Sequence, residues 1–323
     1  MPIKLDDVEL AARLPALPPS VPVYSLAAPS LDDRRGAIAR LVEHLKLGDV
    51  RSADLDQATV MASEGGDVHY FHASGAILAR AATTRDGAAD ELRDWSGLQV
   101  SRTGGHRATL DAETSKRVIG QARELLQPIG LLGEHVSSEA LQLDQVAQLD
   151  ARGREIRHGA GAATVKFGST VDGVPVRGAG GKTLAFAEPS AGDIRITGAF
   201  HAWRTPGTAT AVKLPSVEEA MSVGVLADPE LDLHHAAGHK VRITRLEFVY
   251  LALPAFMKQS HLFPAFQVEG EVSEGRRGIA FNFARFHHAA PPSAYAAADL
   301  AGPFLATNPD GIRPLPPRKQ QKA

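Results

Sequence analysis

Ala163-Thr164-Val165-Lys166-Phe167-Gly168-Ser169-Thr170-Val171 runs into Asp172-Gly173 and out again as Val174-Pro175-Val176-Arg177. Two apolar, β-branched runs thus meet at a dipeptide that tolerates positive φ, which is the pattern of a β-hairpin. Beyond Gly178-Ala179-Gly180-Gly181 the pattern resumes with Thr183-Leu184-Ala185-Phe186. It turns once more at Ser190-Ala191-Gly192-Asp193 and continues through Ile194-Arg195-Ile196 to Trp203, with Pro206 ending the run. Short apolar stretches punctuated by glycine turns predict an antiparallel meander of about four strands.

Working outward, Asp111 stands as an N-cap before residues 112–126, whose Val118, Ile119, Ala122, Leu125 and Leu126 share one helical face. Residues 141–149 alternate as a strand, a short helix being the other reading. The same order is read nearer the N-terminus. Ser30 with Asp33 has capping spacing, Ile38, Leu41, Val42 and Leu45 follow at helical intervals, and Gly48 stops the helix. Residues 58–82 then read as strands parted by Gly65-Gly66 and Ser74-Gly75. A third round opens at Pro215-Ser216 with Glu219, and strands over 243–251, 262–272 and 278–286 follow it. In the last of these Ile279, Phe281 and Phe283 fall on one face. The expected fold class is therefore α+β, built of repeated helix-plus-antiparallel-meander units with helices packed on one face of each sheet. The expected organisation is a proline-rich segment over 1–22, a first unit over 23–104, a larger unit with two repeats over 105–288, and an Ala/Pro-rich tail over 289–323. The basic end Pro317-Arg318-Lys319 reads as solvated.

Composition narrows the function classes. Hydrophobic residues make up 44% and charged residues 22% of the 323, so a buried core is affordable. With 35 Lys plus Arg against 37 Asp plus Glu, no electrostatic footprint for nucleic acid or an anionic membrane is expected. No stretch approaches the ~20 apolar residues of a spanning helix, so no membrane insertion is expected. The chain has no cysteine, which excludes disulfides, thiolate catalysis and Cys-type metal sites. Met1 to Glu9 carries early acids and no apolar segment, so it is not a signal peptide; the cytoplasm is the default expectation, or an extracytoplasmic place if a leader has been removed.

Three phrases together resemble a known type of module. They are Val171-Asp172-Gly173-Val174-Pro175-Val176-Arg177-Gly178, then Gly192-Asp193-Ile194-Arg195-Ile196, then Leu246-Glu247-Phe248-Val249-Tyr250 with His261-Leu262-Phe263-Pro264-Ala265-Phe266. The arrangement resembles the peptidase-propeptide (PepSY-like, thermolysin-propeptide-like) domains over roughly 111–288. That resemblance implies a non-catalytic module that binds a protein or peptide partner by strand addition, and it brings no catalytic residues.

Several side chains offer chemistry of their own. His235 and His239 would share a helical face and could share a metal, but Pro229 and Gly238 speak against the helix and for a polar loop. His261, Tyr250 and His287 fall at strand ends and could converge for proton transfer, whereas polar strand ends ordinarily face water. Gly178 to Thr183 ends in Gly-Lys-Thr without the spacing or helix of a phosphate loop and reads as a turn. There is no Gly-x-Ser-x-Gly elbow. No cofactor is implied. The alternative to the binding module is a pocket-forming enzyme or carrier for a small apolar metabolite, its cavity lined by Trp203, Phe248, Phe266, Phe281 and Phe283.

Overall fold

The structure is a computed structural model and describes residues 5–82, 92–101, 107–190, 193–222, 228–273, 279–290 and 292–297. The first strands are β1 (Glu9–Leu10), β2 (Ser20–Ala27), β3 (Arg51–Asp54), β4 (Ala58–Ser63), β5 (Gly66–Phe71) and β6 (Ala76–Ala81). Next come β7 (Leu98–Ser101), β8 (Arg107–Leu110), β9 (Val136–Leu149), β10 (Glu155–Val171), β11 (Val174–Arg177), β12 (Lys182–Ser190) and β13 (Asp193–Ala202). The last are β14 (Thr205–Lys213), β15 (Lys240–Leu251), β16 (His261–Ser273) and β17 (Ile279–His288). The helices are α1 (Leu31–His44), α2 (Ala112–Leu126), α3 (Val217–Ala220), α4 (Pro229–Ala236) and α5 (Pro292–Ala297). The chain divides into a middle unit, Ala27–Thr205 with Pro254–Lys258, and a terminal unit made of the remainder.

In the middle unit nine strands form one sheet in the order β11-β10-β12-β13-β6-β5-β4-β3, with β9 on the other edge of β10. Its register places Met61, Val68, Ala79, Ala199, Ala185, Val165 and Leu141 side by side across seven strands. All seven face one core, which also takes Ile38 and Leu41 from α1 and Val118, Ala122 and Leu126 from α2. The helix starts follow their caps. Ser30 Oγ accepts from the Asp33 amide while the Asp33 carboxylate accepts from the Ser30 amide, and Asp111 accepts from the Thr114 amide. Asp172 at φ 49° and Gly173 at φ 77° make the tight turn between β10 and β11 that their sequence predicts.

The terminal unit holds β14-β2-β16-β15, with β17 on β16 and β1 parallel to β15. Its core gathers Ile243, Leu246, Phe266, Val268, Val272 and Phe283. Ala289, Ala290 and Tyr295, from the stretch read as a tail, are buried there because Tyr295 packs edge-on to Phe263 at 5.2 Å. The position near residue 104 and the basic end lie outside the described residues.

The expected α+β class of separate helix–meander units does not hold. Strands take 53% of the described residues and helices 19%. The two runs read as separate meanders share one sheet, because β6 and β13, the last strand of each, pair with each other over Ile77–Arg80 and Gly198–His201. Pairing removes two open edges at once, and sequence periodicity carries no trace of it. Gly198 makes the junction possible, since a Cβ there would stand 2.7 Å from the Ala79 carbonyl oxygen and 2.9 Å from the Phe186 ring. Gly198→Ala is accordingly expected to lower stability by about 2 kcal/mol, read as a lower urea midpoint with an unchanged slope. A wild-type midpoint would contradict the close junction.

Candidate functional site

Two edge strands of the middle-unit sheet, β3 and β9, have opposite character. At one, β3 is four residues long, fully exposed, and carries Arg51 and Asp54. A short, charged edge of this kind resists further pairing. At the other, β9 runs for 14 residues, pairs with β10 along its length, and pairs with no other strand among the described residues. Between Val136 and Leu149 there is no Lys, Arg or Pro, and only Glu139 and Asp144 are charged.

Local contacts hold β9 in place. Leu141 and Leu143 face the core beside α2, and Glu139 accepts from Arg123 Nε at 2.9 Å. Gln145 grips the hairpin β7–β8: its Oε1 accepts from the Ala108 amide at 2.6 Å and its Nε2 donates to the Ala108 carbonyl at 3.0 Å. Behind it β10 bulges between Ala160 and Ala163, and the freed carbonyls are taken up. Arg93 N donates to Ala160 at 2.7 Å and the Trp95 indole to Gly161 at 2.8 Å. Ser137, Ser138, Glu139, Ala140, Gln142, Gln145, Ala147, Gln148 and Leu149 remain exposed. The result is a fixed strand that pairs with β10 on one side and with no other strand among the described residues on its outer side, where an extended chain could be added.

The residues singled out in the sequence are placed differently. Tyr250 is buried and donates to the Pro22 carbonyl at 2.7 Å. His261 opens β16, opposite Ser25, with Ser260 Oγ 3.0 Å from its Nδ1. His287 stands opposite Phe266, five residues along β16 from His261, or about 17 Å at strand rise. These three side chains are therefore not brought to one point. His287 is half-buried, its Nε2 has no hydrogen-bond partner among the described residues, and loss of solvent pushes its pKa down to about 4.

Phe248 meets Phe266 edge-on at 6.0 Å, and Phe266 and Phe283 are packed within the terminal-unit core. The Phe281 side chain lies outside the described residues. Trp203 belongs to the middle unit, where it stacks on His135 at 4.2 Å and 4°. Its carbonyl accepts from Arg34, which also donates to Gly75, so the guanidinium ties α1 to two strand ends. Nearby, the buried His201 bonds Thr183 at 2.8 Å, and burial holds its pKa well below the usual imidazole range. The stretch expected as a polar loop is helical over Pro229–Ala236 (α4), because Pro229 sits in the first turn behind the Asp228 cap; there His234 and His239 approach at 3.0 Å between Nδ1 atoms, while His235 faces Asp7 at 3.8 Å. His235 and His239, the pair read from the sequence, thus have different neighbours. Among the described residues no group of three or more metal-ligating side chains occurs, and no helix is long and apolar enough to cross a membrane.

An open groove of about 1090 Å³ lies over the ends of α1 and α2, lined by His44, Lys46, Gln121, Glu124 and Arg195 among others. Its Asp193 already accepts from Gln121, and its Glu43 from Arg40, both at 3.3 Å. The sequence reading missed the β9 edge, although the uncharged, proline-free run from Ala140 to Leu143 was there to be seen.

No family model matches the chain, and no curated protein does. Among solved structures it is similar to the crystal structure, at 1.45 Å resolution, of an uncharacterized protein from Eubacterium rectale ATCC 33656. The identity is 10%, 88% of each chain is covered, and the TM-score is 0.50, a likeness of fold alone.

Proposed function

We propose that this protein is a non-catalytic binding module that takes an extended segment of a protein or peptide by strand addition along β9. The observation that carries the reading is the 14-residue edge, paired on one side and exposed on most of its side chains. Main-chain hydrogen bonds would supply affinity, and the alternating side chains of β9 would supply selectivity. The propeptide-like phrases point the same way, since modules of that kind act by binding. Polar groups away from β9 lend catalysis little: Tyr250 and Arg34 are engaged with backbone carbonyls, and His201 with Thr183.

Two proline variants test the edge. Neighbouring strand residues aim their N–H groups at opposite edges, so Glu139→Pro and Ala140→Pro differ in which edge loses its donor. One should lose a bond to β10 and melt at a lower temperature. The other should melt close to the wild-type temperature yet lose about tenfold or more in binding to an array of random ten-residue peptides. If the proline variant that stays folded binds the array as the wild type does, or the wild type binds none of it, strand addition at β9 is wrong.

A further inference from the structure

We infer that, when no peptide is bound, β9 is occupied by β9 of a second copy, the two strands running antiparallel about a two-fold axis through Gln142. This rests on the strand-addition reading and names the occupant. An edge of 14 residues that lacks Lys, Arg and Pro is a template for pairing, and the strand most available to it in a solution of the pure protein is its own.

Symmetry limits the registers. A two-fold axis normal to the sheet keeps each face on its own side, so facing residues must come from the same face and the axis must pass through a residue. With Gln142 on the axis, Leu141 faces Leu143 of the other copy, twice over. These are the two β9 leucines that already turn toward the core, so the pairing extends an apolar row across the new interface. On the opposite face the two Gln142 amides meet. Glu139 faces Gln145, and Asp144 faces Ala140, so neither acid opposes an acid. Ser138 faces Val146, and the paired stretch extends from Val136 to Gln148. β3, short and charged, offers no comparable match.

The absence of cysteine makes the test direct, because one introduced thiol reports only on itself. Gln142→Cys, on the axis, should form a covalent dimer under mild oxidation about tenfold or more faster than Leu233→Cys, a background thiol at a site 72% exposed. Wild-type protein should have twice the mass of the 34.2 kDa chain by light scattering. The proline variant of Glu139 or Ala140 that stays folded should be a monomer. A monomeric wild type, a dimer that survives that proline, or equal oxidation at 142 and 233 overturns the inference. The peptide array then separates the two readings. Binding by a monomeric wild type leaves strand addition standing without the second copy, and no binding by a monomer removes both.

Discussion

Gly66→Ala is expected to destabilise the middle unit by about 4 kcal/mol, a large part of the 5–15 kcal/mol that holds a typical domain together. Gly66 opens β5 at φ +145°, a conformation that L side chains rarely adopt. A Cβ there would lie 2.1 Å from the Arg80 carbonyl oxygen and 2.9 Å from the Ala81 Cα. Both obstacles are backbone of the adjacent strand β6, so no rotamer change relieves them. The turn is tight on its other side as well. Gly65 N donates to Ser63 Oγ, Ser63 donates to the Leu47 carbonyl, and a Cβ on Gly65 would meet that same carbonyl at 2.7 Å. Relaxing the overlap would pull β5 from β6 at Gly66–Ala81 and disturb Leu47, a buried member of the core. Gly36→Ala is the matched control. Gly36 is exposed within α1 with nothing among the described residues within 4 Å of its added methyl, so the change should stabilise by roughly 0.5–1 kcal/mol. Equilibrium urea unfolding of the three proteins reads both effects. Equal midpoints for Gly66→Ala and the wild type would mean that β5 does not approach β6 as described.

The contrast between those two glycines shows what the sequence made legible. Features set by a few neighbouring residues were readable: the Ser30 and Asp111 caps, the Asp172-Gly173 turn, and the strand runs around them. Whether a glycine is a spacer or a fulcrum depends on Arg80, fourteen residues away, and was not. The shared sheet depends on a pairing between residues 77–80 and 198–201, and no local signal records such a distance. The chain also returns to the middle unit for Pro254–Lys258, where buried Arg204 donates to the carbonyls of Pro254 and Met257. The same limit governed the site. His234, His235 and His239 are conspicuous in the sequence because they are neighbours along the chain. The imidazoles most altered by their surroundings, His201 and His287, are set apart by burial, a property of the fold. β9 was read as a strand from Leu141 only, because Ser137-Ser138-Glu139-Ala140 lacks an apolar alternation. An edge strand with both faces partly in water needs none.

One buried and two half-buried histidines give the second large effect, a loss of stability in mild acid that begins well above the carboxylate range. His287 and His288 are held down to about 4 by loss of solvent, His288 also by the neighbouring His287, and His201 is held well below its ordinary value by burial and by Arg34. In the unfolded chain each should titrate near its ordinary value of about 6.5. Between about 6.5 and 4 the unfolded state therefore binds more protons than the folded state, so stability falls as pH drops through that window and is complete above it. At pH 5 the loss should approach about 2 kcal/mol for His287 and for His288, and His201 adds to it in the same direction. The lowered carboxyls of Asp33, Asp111 and Asp150 act elsewhere on the scale, since their contribution is lost only as pH falls below the ordinary carboxylate value. Urea midpoints taken from pH 8 to pH 4.5 should thus be flat down to near 7 and then decline. His287→Phe should shallow the decline even if it shifts the whole curve, because a phenyl ring has no proton to take up. A curve that stays flat to pH 4.5 would mean these imidazoles titrate in the folded protein as they do in water, and would place them at the surface.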